Sequence, residues 1–187
     1  MILVKLKLSG FLSYREPVEI DFTTFDIACI SGANGAGKSS LLDAITWVLF
    51  GQARRRDDSL IHSQEKEAQV TLDFNYEGSL YRVLRKKERD KTAMLEFYLQ
   101  SEDGKWHPLT EHSLRETEDR IRQTLRLDYE TFINASFFLQ GQADNFAQQR
   151  PGDRKKILSN ILGLEVWEAY RDEANKRRRS TETEIYG

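Results

Sequence analysis

The sequence predicts an α/β fold, and three observations support this prediction. Alternating apolar and polar residues predict short β-strands, most clearly at positions 2–8, 70–76, 80–85 and 94–99. A glycine-rich stretch at 31–40 follows an apolar run and precedes residues with helical spacing. The chain has 187 residues, which is enough to bury one substantial core.

The composition restricts the class of protein. Hydrophobic residues make up 39% and charged residues 31% of the chain, which is typical of a soluble globular protein. The net charge of −2 does not by itself indicate a nucleic-acid partner. Cys29 is the single cysteine, so no intrachain disulfide can form, and we expect its thiol in the core. We see no signal peptide or membrane-spanning run, and we expect a cytoplasmic protein with no membrane partner.

The first quarter of the chain predicts two strands, a buried strand, a loop and a helix. Residues 2–8 and 18–22 alternate as strands, and residues 11–14 connect them. Residues 25–30 are mostly apolar and predict a central buried strand that leads into the glycine loop. Apolar residues with helical spacing then predict a helix from about Lys38 to Phe50, with Gly51 as its C-cap.

The glycine loop matches the Walker A pattern Gly-x-x-x-x-Gly-Lys-Ser, which cradles nucleotide phosphates with backbone N–H groups. Lys38 is expected to reach the β- and γ-phosphates, and the Ser39 hydroxyl to bind Mg²⁺. The pattern therefore predicts ATP and Mg²⁺ as ligands. An ordinary glycine turn with a solvated lysine is the alternative, and the helix pattern that follows disfavours it. The expected nucleotide-binding residues are Asn34, Gly35, Ala36, Gly37, Lys38, Ser39 and Ser40.

The middle of the chain predicts an exposed loop at 52–64 and then a three-stranded antiparallel meander. Basic residues gather where the second of these strands ends. Such clusters can hold duplex DNA phosphates without reading sequence. A solvated surface is equally compatible, because Glu88 and Asp90 interrupt the cluster. The candidate DNA contacts are Arg85, Lys86, Lys87 and Arg89.

The last third predicts helices. Ser113 is a plausible N-cap for a helix that carries Ile121 and Leu125, and another helix is expected after Asp128. A short apolar run then ends at Gln140. A helix with an apolar stripe follows Pro151 and leads out of the globular body. We therefore expect a globular lobe at 1–163 and the start of a coiled-coil helix at 164–187.

One component of an ATPase is missing from the sequence. Hydrolysis by a phosphate-loop enzyme needs a second carboxylate to hold Mg²⁺ and orient water. Asp73 is the nearest candidate, but it lies on the polar side of an alternating strand, where a solvated aspartate is expected. The sequence therefore predicts half of an ATPase, completed by later sequence or by another chain.

The order of these motifs resembles the SbcC-type DNA-repair ATPases, in the SMC-like branch of ABC-type ATPases. The resemblance implies the N-terminal lobe of an ABC/SMC-type P-loop NTPase head, with an antiparallel β-meander and an exiting coiled-coil base helix. It also implies that Gln140 is the Q-loop glutamine, which contacts Mg²⁺ and the attacking water. Some relatives have a nucleotide-contacting arginine where this chain has Leu12. The segments that carry the resemblance are residues 32–40, the meander, residues 137–142 and residues 151–158.

The resemblance implies an ATP-binding head in DNA double-strand-break repair, localised with the nucleoid in a bacterium or archaeon. Its C-terminal half would supply the signature motif and Walker B carboxylate, so the fragment alone would be inactive. Its expected partners are double-stranded DNA, a second head that dimerises with ATP, and an SbcD-type nuclease. The alternative is an SMC- or RecF-like DNA clamp without a nuclease. A small-molecule kinase is disfavoured by the meander and the outward helix.

Overall fold

The computed structural model describes residues 1–55, 57–136, 150–161 and 164–186. The chain divides after Leu125 into two compact units. Gln140 and residues 137–139 of the predicted apolar run before it lie outside the described residues. The predicted boundary at 163/164 lies within the second unit, and the start of a coiled coil there remains a prediction.

A six-stranded sheet forms the body of the first unit. Its order is β2-β1-β3-β4-β5-β6, and every neighbouring pair is antiparallel. The predicted meander is confirmed as β3, β4 and β5, and the three-residue β6 extends it. The sequence pattern does not predict β6, because three residues are too few to display alternation. The strands are β1 (Ile2–Ser9), β2 (Val18–Asp21), β3 (Glu67–Tyr76), β4 (Ser79–Glu88), β5 (Met94–Gln100) and β6 (Trp106–Pro108).

One face of the sheet forms the core. Leu6, Leu72, Val83 and Phe97 are direct cross-strand neighbours and are fully buried. The face arises from period-two alternation, which sends every second side chain to the same side. Helix α1 (Lys38–Phe50) contacts β3 and β4, and helix α2 (Leu114–Leu125) contacts β5 and α1.

The predicted ends of α1 and the predicted start of α2 are confirmed. Gly51 ends α1 with a φ of 70°, and its N–H donates to the Trp47 carbonyl at 2.8 Å. At the start of α2, the Ser113 hydroxyl accepts from the Glu116 N–H at 3.2 Å and donates to the Glu116 carboxylate at 3.0 Å. The Ser113 hydroxyl thus satisfies one of the backbone donors that the first turn leaves free.

The second unit contains helices α3 (Tyr129–Ser136), α4 (Pro151–Ile161) and α5 (Glu165–Tyr186). The predicted helix after Asp128 is confirmed, and the Asp128 carboxylate accepts from the Thr131 N–H at 2.7 Å. Helix α3 contacts α4. In the described ranges, no helix is long and apolar enough to cross a membrane.

The buried strand predicted at 25–30 is wrong. These residues form no strand, and Ile27 is 92% exposed. Cys29 is exposed as well, so its predicted place in the core is also wrong. An apolar run becomes a buried strand only where neighbouring strands take its backbone hydrogen bonds and other elements cover its faces. None of the described strands lies beside this run.

The loop at 52–64 is only partly exposed, contrary to prediction. A short 3₁₀ turn spans Asp57–Leu60, and both Leu60 and Ile61 are buried. The Leu12 N–H donates to the Leu60 carbonyl at 2.7 Å, and the His62 N–H donates to the Gly10 carbonyl at 2.8 Å. The loop thus holds the 11–14 connector in place.

Candidate nucleotide site

The phosphate loop ends at Gly37, a position that only glycine fits. Gly37 is the N-cap of α1 and has φ 91° and ψ 6°, in the left-handed region. A Cβ at this position would lie 3.0 Å from the Ser13 Cβ and 3.3 Å from a Tyr14 ring carbon. The connector that carries Ser13 and Tyr14 therefore forms a wall against the start of α1. Any side chain at position 37 would push the loop and this wall apart.

Lys38 folds back across the loop. Its ammonium donates to the Gly32 carbonyl at 2.7 Å and the Ala33 carbonyl at 2.8 Å. Both acceptors are neutral, and hydrogen bonds from an ammonium to an anion are stronger than those to a carbonyl. An incoming phosphate can therefore compete for this ammonium.

The two serines at the start of α1 differ in exposure. Ser39 is exposed, so its hydroxyl is accessible to a ligand at the loop. Ser40 is 5% exposed, and its Oγ lies 3.3 Å from the Ser13 Oγ. The other predicted nucleotide-binding residues, Asn34, Gly35 and Ala36, are exposed in the same loop. The structure thus brings the predicted residues together, and their contacts with a nucleotide remain a prediction.

A buried carboxylate on α1 binds the start of the 52–64 loop. Asp43 of α1 accepts from the Arg54 N–H at 3.2 Å and the Arg54 Nε at 2.8 Å. The hydrogen bond to Asp43 raises the pKa of Arg54. These contacts fix the start of the 52–64 loop beside a cavity of about 390 Å³, lined by Leu12, Ser13, Ser40, Asp43, Arg54 and Arg55. The sequence does not predict the pairing of Asp43 with Arg54, because the direction of the chain after the end of α1 cannot be read from it.

Residues 5–184 match the family model described as an AAA domain. The chain belongs to the AAA-domain family. It is 36% identical to a probable DNA double-strand break repair Rad50 ATPase of Aquifex aeolicus, over 96% of this chain and 18% of that protein. It is 32% identical to one of the subunits of the nuclease SbcCD of Deinococcus radiodurans, over 85% of this chain and 18% of that protein. These relatives confirm the predicted resemblance, and the AAA domain spans about a fifth of their length.

Among solved structures, the SMC head domain from Thermotoga maritima is similar to this chain. The sequence identity is 29% and the TM-score is 0.41. The match covers 64% of this AAA domain and 42% of the SMC chain.

Arg85 of the AAA domain cannot contact DNA as predicted, because it is buried. It is 2% exposed, and its Nη1 donates to the Glu118 carboxylate at 2.8 Å. Burial lowers the pKa of Arg85, while Glu118 acts in the opposite direction. Arg85 is in phase with Tyr81 and Val83 along β4, and this alternation was the signal that it faces the core.

The other three candidate DNA contacts lie nearer the surface and already have partners. Lys86 pairs with Glu67 at 2.8 Å, and Lys87 pairs with Asp58 at 3.0 Å. Arg89 donates to the Glu65 carbonyl at 3.1 Å. Acidic groups therefore offset much of this charge, and DNA binding here remains a prediction.

Asp73 is neither a solvated aspartate nor a free metal ligand. It is 7% exposed, and its two carboxylate oxygens accept from Arg82 at 2.6 and 2.7 Å. The prediction of a solvated Asp73 was wrong because Arg82 lies directly opposite on β4. Across the parts of the chain that the structure describes, no three His, Cys, Asp or Glu side chains form a group that could hold a metal.

Proposed function

We propose that this AAA domain binds ATP with Mg²⁺ and is the nucleotide-binding lobe of an ATPase head in DNA double-strand-break repair. The loop around Gly37 and Lys38, at the start of α1, carries the proposal. The N-terminus of a helix attracts phosphate through its free N–H groups and its dipole. The similarity to Rad50 and SbcCD proteins supports the repair role.

Three side chains have distinct roles in this proposal. Lys38 exchanges the carbonyls of Gly32 and Ala33 for the β- and γ-phosphates, and the exposed Ser39 hydroxyl is the Mg²⁺ ligand. Gln140, outside the described residues, contacts Mg²⁺ and orients water. Mg²⁺ would neutralise the charge that develops on the phosphates during transfer.

Hydrolysis needs a second part, which we propose is the C-terminal half of the full-length protein. Both oxygens of the Asp73 carboxylate already accept hydrogen bonds from Arg82, so we assign Asp73 no role at Mg²⁺. Phe25, Ile27 and Ile30 lead into the phosphate loop with their side chains exposed. Covering them with strands from the C-terminal half would bury apolar surface and fix the start of the loop.

Titration calorimetry and a phosphate-release assay test this proposal. We expect the purified chain to bind MgATP weakly and to show no turnover above background. Adding the C-terminal half should produce turnover that depends on Lys38. Failure of the chain to bind MgATP would contradict the phosphate-loop role. Lys38-dependent turnover by the chain alone would contradict the need for a second half.

The role of Gln140 is tested in the assembled head. We expect Gln140→Ala to retain much of its ATP affinity, because Lys38 and the loop amides remain, and to lose turnover and ATP-driven head dimerisation. Gln142→Ala is the matched control in the same segment. Damage from Gln142→Ala alone would move the Q-loop assignment by two residues, and no damage from either would remove it.

We also propose that α4 and α5 contact an SbcD-type nuclease. A groove of about 650 Å³ runs along these helices and includes Leu158, Leu164 and Trp167. Trp167 and Tyr170 are 68% and 64% exposed, and exposed aromatic clusters are typical of protein interfaces. Trp167→Ala combined with Tyr170→Ala should abolish co-purification of the nuclease and leave MgATP binding intact. A DNA clamp without a nuclease predicts no co-purification even for the parent protein.

With Arg85 buried, we propose that Lys86, Lys87 and Arg89 contact duplex DNA. Substituting all three by glutamine should weaken binding of duplex DNA by the assembled head and reduce its dependence on salt. Unchanged salt dependence would place the DNA contacts elsewhere.

A further inference from the structure

The C-terminal end of α1 is held by a buried guanidinium. Arg85 of β4 donates from Nε to the Val48 carbonyl at 3.3 Å and from Nη1 to Glu118 of α2 at 2.8 Å. Its side chain is 3% exposed and that of Glu118 is 21% exposed. One side chain therefore connects the end of the phosphate-binding helix to a sheet strand and to a second helix.

The C-cap of α1 lies directly against this ion pair. A Cβ on Gly51 would lie 2.9 Å from the Glu118 Oε1 and 3.0 Å from the Arg85 Nη1. The left-handed Gly51 thus lets the helix end at the ion pair, with no side chain between them.

Stability alone does not account for this arrangement. Arg85 lies in a cross-strand row between Val70 and Leu95, where an apolar side chain would fit the alternation. Replacing a buried ion pair by apolar residues is often neutral or stabilising. The Arg85 Nη2 is buried and has no hydrogen-bond partner among the described residues, which is unfavourable. A buried ion pair can instead serve to specify the geometry of the elements that it joins.

We propose that Arg85 is a positioning residue for the phosphate loop and acts through α1. The helix is a rod of 13 residues, with Lys38 at one end and the anchored Val48 carbonyl near the other. Holding one end limits the displacement of the N–H groups at the opposite end. Small displacements of binding groups can reduce their effect greatly. This inference rests on the proposed function, because the positioned groups are those that would bind ATP.

The test replaces both partners, so that no charge is left unpaired. The variant Arg85→Met with Glu118→Leu is compared with Arg82→Met with Asp73→Leu, which removes a different ion pair of β4, on the opposite face of the sheet. We expect the first variant to bind MgATP about fivefold more weakly, which corresponds to about 1 kcal/mol. Its unfolding midpoint should stay within about 5 °C of the parent protein. The control should bind MgATP with the parent's affinity.

Hydrogen exchange provides a second readout. The Ser40 N–H donates to the Gly37 carbonyl at 2.9 Å in the first turn of α1. Its exchange should accelerate in the Arg85 variant and not in the control. Parental affinity and parental exchange in a folded Arg85 variant would overturn the inference. If the parent does not bind MgATP, the proposed function fails, and the exchange measurement still decides the positioning role.

If the double variant does not fold, Arg85→Lys takes its place. Lysine keeps the charge but lacks the fork that reaches Val48 and Glu118 together. The same loss of affinity and faster exchange are expected, and parental values for both would overturn the inference.

Discussion

Strand β3 and the segment 25–30 both contain apolar residues, but they differ in their neighbours. In β3, the side chains of Val70, Leu72 and Phe74 are fully buried, and β1 and β4 pair with the strand on either side. In the segment 25–30, Ile27 is 92% exposed and Ile30 is 49% exposed. Burial is thus determined by which strands lie alongside, and local composition does not determine it.

Substitutions in the buried core and in the exposed phosphate loop should therefore have different effects on stability and on binding. The sheet and α1 share one core, so changes there should alter the free energy of unfolding. The phosphate loop is attached to this core mainly at Gly37 and α1, and most of its residues are exposed. Changes in the exposed part of the loop should therefore alter binding and leave unfolding unchanged.

The largest expected effect on MgATP binding is that of Lys38→Ala. We expect MgATP affinity to fall roughly 100-fold, because a cation that would meet two phosphates is removed. The unfolding midpoint should not change, since the partners of the Lys38 ammonium among the described residues are two carbonyls of its own loop. Calorimetry and thermal unfolding measure the two effects. Lys91→Ala is the control for loss of one exposed cation, and equal affinities in both variants would disprove the loop assignment.

Much of the fold could be predicted because its partners are close in sequence. Strands β3, β4 and β5 follow one another through short turns, and the caps at Gly51 and Ser113 depend on nearby residues. The loop at Lys38 follows a local spacing. The sequence therefore contains the information for these parts within a few residues.

Other parts depend on distant residues and could not be predicted. The charge of Arg85 predicts a place on the surface, yet Glu118, 33 residues away, allows its burial. The burial of Asp73 can be predicted only from the strand register, which places Arg82 opposite it. The exposure of Ile27 reflects the lack of a neighbouring strand in the described ranges.

The second expected effect compares the two apolar regions directly. Leu72→Ala should lower the free energy of unfolding by about 3 kcal/mol, because it leaves a cavity in the core. Ile27→Ala should change it by less than about 0.5 kcal/mol, as expected for an exposed site. Urea unfolding of both variants measures the difference. A large loss from Ile27→Ala would mean that the segment 25–30 is covered in solution.

The third expected effect concerns the junction of the two regions. Gly37→Ala should lower the free energy of unfolding by about 2 kcal/mol, through left-handed strain and contact with Ser13. Gly78 has a similar φ of 82°, but a Cβ there would meet nothing within 4 Å. Gly78→Ala should therefore cost only about 1 kcal/mol, from strain alone. Equal losses would show that the 11–14 connector yields, and only Gly37→Ala should also weaken MgATP binding.

The smallest expected effect is a pH dependence in an exposed turn far from both the core and the loop. The Ser101 hydroxyl and then the Lys105 side chain and N–H lower the pKa of Asp103 from 3.8 to about 2. Because the folded-state pKa lies below the unfolded value, ionised Asp103 stabilises the fold above about pH 4. This contribution is lost as the pH falls from 3.8 towards 2.

The measurement is urea unfolding of the parent and Asp103→Asn at pH 7, 5, 3 and 2. Comparing variant with parent cancels the other carboxylates whose pKa values are lowered, such as Glu19, Asp58 and Glu88. The difference should be constant from pH 7 to 5, about half its full size at pH 3 and about a sixth of it at pH 2, where Asp103 itself becomes protonated. Added salt should reduce the contribution of Lys105, because the turn is exposed to solvent. A difference that persists unchanged at pH 2 would assign the effect to the shape of the side chain, since its charge would then be irrelevant.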